Sequence, residues 1–155
     1  MVNVTLMTDA SICGDTGVGG YGFWVVSSRG GLPGQGKFKT LTKDSLQGEL
    51  KAVINSLSKA IKMDAIQYGD SILIQLDNQG VIACIEGKST PRADIAPLLD
   101  KLKCIVKDHG LSISCRHVKA HTNRKDNRYI ANKMCDLRAK EEMRKARKLL
   151  EKTKC

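Results

Sequence analysis

Aromatic side chains are scarce in this sequence, with two Phe, three Tyr and one Trp among 155 residues. Base stacking is therefore not expected to dominate any nucleic-acid contact. Only three prolines, against 41% hydrophobic and 27% charged residues, exclude a collagenous or largely disordered chain. No apolar run approaches the roughly 20 residues that span a bilayer, and the N-terminus lacks a basic region followed by an apolar signal core. Six cysteines (Cys13, Cys84, Cys104, Cys115, Cys135, Cys155) lie far apart, with no C-x-x-C pair and no short Cys/His cluster, so a structural zinc site is not expected. The chain reads as soluble and cytoplasmic, its thiols reduced and mainly filling the core, with Cys155 a free thiol in the tail.

Acidic charge is also in short supply. Sixteen Asp and Glu face 26 Lys and Arg, a formal net charge of +10, which points to a polyanionic partner such as nucleic acid or an anionic membrane. Charge alone does not choose between them. The length suits a single domain built around one core.

The alternation of "VNVTLMTD" (2–9) predicts a strand, with Val2, Val4 and Leu6 on one face and Asn3, Thr5, Met7 and Asp9 on the other. After a glycine-dense turn, "YGFWVVSS" (21–28) predicts a second strand. "GGLPGQG" (30–36) reads as a turn-rich connection and "KFKTL" (37–41) as a third strand, an antiparallel meander. From Ser45 to about Met63 the period changes to a helical stripe of Leu46, Leu50, Val53, Ile54, Leu57 and Ile61, capped by Asp44 or Ser45.

"SILIQLD" (71–77) has the near-continuous apolar pattern of a strand covered on both faces. A short helix over 78–87, a helix from about Ala93 to Asp108, the strand "LSISCRHV" (111–118) and a long helix from about Asn127 to Lys152 complete the order. These elements imply an α/β fold, a mixed sheet with helices on its faces.

Three acids sit where burial is costly. Asp9 ends the first strand, Asp77 ends the most apolar one, and Glu49 lies within the helical stripe one turn from Leu46 and Val53. A carboxylate on an apolar face costs several kcal/mol unless it is paired or binds a metal. If the strands of Asp9 and Asp77 are adjacent and parallel, both acids reach the same sheet edge, where α/β folds place ligands. Such a cluster repels itself unless divalent cations neutralise it, and oxygen ligands select hard ions, magnesium first. Plainer readings stand beside this one: Asp9 and Asp77 as turn formers, and Glu49 as an exposed flank or a partner of Lys51 or Lys59.

Four segments carry a resemblance. "MTDASICGDTGVGGYGFWV", "LQGELKAVINSL", "ILIQLDNQGVI" and "RHVKAHTNRKDNRYIANKMCDLRAKE" occur in the order and spacing of the four motifs of type I ribonucleases H, covering about residues 4 to 142. The resemblance implies an RNase H-like five-stranded mixed sheet flanked by helices, and hydrolysis of the RNA strand of an RNA/DNA hybrid to 5′-phosphate products. By position it implies that Asp9, Glu49, Asp77 and Asp136 bind two Mg2+ ions, with Mn2+ as the alternative. His121 would be the histidine assisting proton transfer or product release. Asp136 is singled out by the resemblance alone, since its helix carries many charges. Gly14 and Gln79 match residues that contact RNA, with the backbone near Ser11 and Ile12 beside them. His109 and His117 read as ordinary loop and strand residues.

Two departures stand out. Asp15 occupies a turn position where many family members have Asn, which places an extra negative charge on the expected substrate side. "GKSTPRA" leaves no room for the long basic handle of many bacterial members. The division expected is a catalytic domain over 1–142 and a basic helical tail over 143–155. From Arg138 to Lys154 this region holds eight Lys or Arg against three Glu. That tail reads equally as a grip on nucleic acid or as an amphipathic helix packing Met143, Ala146, Leu149 and Leu150 on the body. Other readings of the whole are a nuclease of the same fold acting on junctions or duplex RNA, and an inactive nucleic-acid-binding module. The family likeness favours a monomer.

Overall fold

The computed structural model describes residues 1–118 and 127–153, with backbone alone for 127–129. His121 and Cys155, singled out above, lie outside the described residues. The described chain runs β1 (Asn3–Ile12), β2 (Gly19–Ser27), β3 (Gly30–Lys37), α1 (Ser45–Lys62), β4 (Ser71–Leu76), α2 (Gln79–Ile85), α3 (Ala96–Asp108), β5 (Ser112–His117) and α4 (Asn127–Thr153). The strands form one sheet in the order β3-β2-β1-β4-β5. β1, β2 and β3 are an antiparallel meander, whereas β4 pairs parallel with both β1 and β5. The mixed sheet expected from the sequence is therefore present.

Side-chain alternation splits the sheet into two unlike faces. On one, Val4, Leu6, Phe23, Ile72 and Ile74 pack with Leu50, Val53, Ile54 and Leu57 of α1 and with Leu99 and Leu102 of α3. On the other lies α4, close enough to β2 that only glycine fits beneath it. A Cβ on Gly20 would lie 2.8 Å from the Met143 nitrogen, and one on Gly22 would lie 2.7 Å from Arg138 Cβ and collide with the Cys135 carbonyl oxygen. The stretch from Gly20 to Phe23 thus alternates helix-bearing glycines with the core-facing rings of Tyr21 and Phe23. α4 passes position 142 without a break; Glu142 and Ala146 are buried, while Leu149 is exposed.

The third strand differs from expectation. It occupies the glycine-rich "GGLPGQGK", and all but the first residue of "KFKTL" lies beyond it. The reason is cross-strand packing. Phe23 pairs with Gly34 and Tyr21 with Gly36, and their rings fill the space that side chains would take; a Cβ on Gly36 would lie 2.5 Å from the Tyr21 hydroxyl oxygen. Pro33 is tolerated because β3 is an edge strand. Glycine that weakens an isolated strand is here required by the neighbouring rings.

Cys13 and Cys135 are buried, Cys84 and Cys115 half-buried, and all four are free thiols. Cys104 is free but exposed, and so fills no core. Among the described residues no helix is long and apolar enough to cross a membrane.

Gly22→Ala is expected to cost about 1–3 kcal/mol of stability through overpacking under α4. Urea unfolding monitored by circular dichroism checks it, and a change within error would mean that α4 is not held at this distance.

Candidate active site

Parallel pairing of β1 with β4, in register from Asn3 with Ser71 to Met7 with Gln75, brings their C-terminal ends to one edge. Asp9 lies two residues past the last pair, and Asp77 directly follows β4. Glu49 arrives from α1, whose N-terminus is fixed by local chemistry. Asp44 caps it, accepting a 3.1 Å bond from the Gln47 N–H. Arg92 grips the Asp44 carboxylate through both terminal nitrogens at 2.7 and 3.1 Å. Gly48 leaves room for the Ile12 side chain at the end of β1; a Cβ there would run into it. The first turn of α1 thereby settles on the sheet edge with Glu49 beside Asp9.

One carboxylate oxygen each from Asp9, Glu49 and Asp77 lies within 4.8 Å of the others. Asp9 and Glu49 are only 6% and 7% exposed. They compete for one donor, the Ala10 N–H, at 2.9 Å to Asp9 Oδ1 and 3.3 Å to Glu49 Oε1. Glu49 Oε2 is buried and, the facing Asp9 carboxyl aside, has no hydrogen-bond partner among the described residues. Lys51 and Lys59 do not answer it: the first donates to Thr40, Leu41 and Thr42, the second to the Gln35 carbonyl. Burial pushes the Asp9 carboxyl up to about 7, with the charges of Asp77 and Asp136 adding to the rise. Burial and the facing Asp9 raise Glu49 well above the usual carboxylate range.

Asp70 shows what a structural buried acid looks like in the same chain. It takes two bonds from the Arg29 guanidinium at 2.6 and 2.8 Å and a third from the Gln67 N–H at 2.8 Å, and its carboxyl is held below the usual range by Arg29. Among the described residues Asp9 and Glu49 have no such cation. Their converging oxygens and the orphaned Oε2 fit a hard divalent cation in donor type and charge.

Asp136 stands close by but outside the cluster. The buried Cys135 thiol donates to the Met7 carbonyl at 3.6 Å, which seats α4 against β1. The Asp136 charge acts on Asp9, while its carboxylate pairs with Lys140 at 2.9 Å.

A cavity of about 550 Å3 opens beside the acids, lined by Ser45, Glu49, Asp77, Asn78, Gln79 and His117. Gln79, expected to contact substrate, is at its rim, in the first turn of α2. Asn78 caps that helix through its side chain, 3.1 Å from the Val81 N–H. His117 reaches the Asp77 carbonyl with Nε2 at 3.2 Å. Ser45, Asn78 and His117 were not singled out as site residues from sequence; only for Asn78 was there a signal, its polar side chain between a strand and a helix. Ser11 and Ile12 end β1, and Gly14 and Asp15 are exposed in the turn after it. That turn is closed by bonds from the Cys13 N–H to the Val18 carbonyl and from the Gly17 N–H to the Cys13 carbonyl, both 2.8 Å.

A sequence model of the RNase H family matches residues 1–144. The chain belongs to the RNase H family. Solved structures agree on the fold. The N-terminal RNase H domain of a Mycobacterium tuberculosis protein, solved as a fusion with maltose-binding protein, superposes with a TM-score of 0.74 at 18% identity, covering 97% of this chain and 99% of that one. RNase H1 from the halophilic archaeon Halobacterium salinarum gives 0.71 at 21% identity, over 93% and 99% of the two chains. LC11-RNase H1 in complex with an RNA/DNA hybrid gives 0.73 at 14% identity, over 92% and 98%. Comparison with curated protein sequences gave no match.

For this RNase H chain the raised carboxyls fix a sign. The folded state holds protons on Asp9 and Glu49 that the unfolded chain releases, so without divalent ions the stability these two groups contribute is fully present below the ordinary carboxylate range and is lost as pH rises toward 7 and beyond. Asp9→Asn is expected to flatten that fall and to raise the melting temperature at pH 8 in EDTA. Thermal melts from pH 4 to 8 measure it; an Asp9→Asn curve parallel to wild type would contradict the repulsion.

Proposed function

We propose that the protein is a metal-dependent endoribonuclease that hydrolyses the RNA strand of RNA/DNA hybrids to 5′-phosphate products, working as a monomer in the cytoplasm. The observation that carries the reading is the cluster of buried Asp9 and Glu49 with half-buried Asp77, uncompensated by any basic partner of Asp9 or Glu49 among the described residues, at the open edge of an RNase H sheet. LC11-RNase H1, a structural neighbour, has been solved with an RNA/DNA hybrid, and the net charge of +10 suits such a polyanion.

Asp9, Glu49 and Asp77 would hold the divalent ions, with Asp136 joining once it exchanges Lys140 for a cation. Bound there, two Mg2+ ions, or Mn2+ in their place, supply an activated water and charge stabilisation for the phosphodiester. No side chain needs to act as nucleophile. His121 would move a proton near neutral pH or help the product leave. The end of β1 and its turn, Ser11, Ile12, Gly14 and Asp15, with Gln79 across the cavity, would lie along the RNA and read its 2′-hydroxyls. Asp15 sits there as an added negative charge, and no basic handle separates α2 from α3, so the grip on the hybrid must come from elsewhere. The basic stretch over 143–155 would serve as part of it, beside a catalytic domain over 1–142.

The test is cleavage of a labelled RNA/DNA hybrid, duplex RNA and duplex DNA, with Mg2+ or EDTA. Only the hybrid should be cut, and only with the ion. Asp9→Asn and Asp77→Asn should each lower the rate by about a hundredfold or more. Equal cleavage by the variants would remove the carboxylates from the mechanism, and faster cutting of duplex RNA would reassign the substrate.

A further inference from the structure

A second cavity, of about 580 Å3, gathers cations instead of acids. Lys37 at the end of β3, Lys39 in the following loop, Lys51, Lys59 and Lys62 from α1, and Lys101 from α3 all line it. No Asp or Glu does. Like charges at this density repel one another, and a one-sign cleft with low-dielectric walls focuses its field on whatever enters.

Two of the ammonium groups are met by neutral oxygens. Lys51 Nζ donates to Thr40 Oγ1 at 3.0 Å, the Leu41 carbonyl at 2.9 Å and Thr42 Oγ1 at 3.2 Å, and lies 5.7 Å from the centre of the Phe38 ring. Lys59 Nζ donates to the Gln35 carbonyl at 2.5 Å. Among the described residues the one carboxylate paired with any of the six is Glu142, 3.7 Å from Lys37, and it belongs to α4, which does not line the cavity. Asn55, Ser58 and Thr40 add neutral donors to the walls. Burial lowers the Lys51 ammonium below its ordinary value, as expected for a cation desolvated without a counter-charge.

We propose that this cavity is an anion site for a ligand carrying several phosphate groups, separate from the acidic site. Ammonium groups act as point charges suited to phosphate, and six of them around one concavity match a multiply charged ligand better than a single carboxylate. The phosphates could come from the backbone of a nucleic-acid strand extending past α1, a source that rests on the function proposed above, or from a free oligophosphate.

The experiment compares wild type with a triple variant, Lys39→Gln with Lys62→Gln and Lys101→Gln. These lysines are exposed and make no side-chain hydrogen bond or ion pair among the described residues, so the fold does not depend on them. A control of equal charge change replaces Lys88, Lys103 and Lys107, exposed lysines outside the cavity and outside the basic tail, with Gln. Calorimetric titration with sodium tripolyphosphate in EDTA should show wild-type binding that the triple variant weakens about tenfold or more and the control leaves nearly unchanged. The single reversal Lys62→Glu should weaken it in the same direction. In parallel, hybrid affinity is measured against salt in EDTA. A salt slope reduced by about two to three in the triple variant alone assigns the phosphates to a nucleic-acid strand; a changed tripolyphosphate affinity with an unchanged slope assigns them to a free oligophosphate. No tripolyphosphate binding by wild type, or equal weakening by variant and control, overturns the site. The tripolyphosphate arm needs no cleavage, so it stands or falls apart from the nuclease reading.

Discussion

Mutual repulsion among Asp9, Glu49 and Asp77 is the constraint around which this molecule is arranged. Three oxygens within 4.8 Å of one another, two of their residues almost fully buried, cannot all be charged without a neutralising partner. The chain nonetheless holds them there firmly. Parallel pairing of β1 and β4 aligns two of the acids, the Asp44 cap with its Arg92 clamp fixes the start of α1, and Gly48 lets that turn close over Ile12. Each device is local and inexpensive, and together they impose an arrangement that electrostatics opposes in the metal-free protein.

The opposite face of the sheet serves the same edge. Gly20 and Gly22 admit α4 to close contact with β2, and the Cys135 thiol ties it to the Met7 carbonyl. That seating sets the position of Asp136, whose charge already acts on Asp9 while its carboxylate rests on Lys140. Glycines that look like turn punctuation therefore determine how a distant helix presents its acid. The cationic cavity beside α1 completes a separation of charge, with acids gathered at the sheet edge and lysines along the helix flank.

Much of this was legible in the sequence, because period-2 and helical stripes report burial directly. The long helices and β4, with Asp77 directly after it, followed from such patterns; Asp9 was expected to end its strand, but β1 runs on to Ile12 because its antiparallel pairing with β2 continues past Asp9, and Asp9 marks only the end of the pairing with β4. The third strand did not: its glycines are demanded by the rings of Tyr21 and Phe23 on another strand, and a residue's own propensity carries no trace of its cross-strand partner. Asp136 was visible only through resemblance, since a charged helix hides one acid among many. His117 and the lysine cavity were invisible for a related reason. They come together from segments far apart in the chain, and nothing in local spacing announces their meeting.

Burial and mutual repulsion raise the Asp9 and Glu49 carboxyls, so a divalent cation binding between them would have to displace protons. Calorimetric titration of Mg2+ at about pH 6.5, repeated in buffers of different ionisation enthalpy, measures that directly. Proton release on saturation is expected, with weaker binding and less proton release in Glu49→Gln. Proton-neutral binding, or binding unchanged by Glu49→Gln, would contradict it.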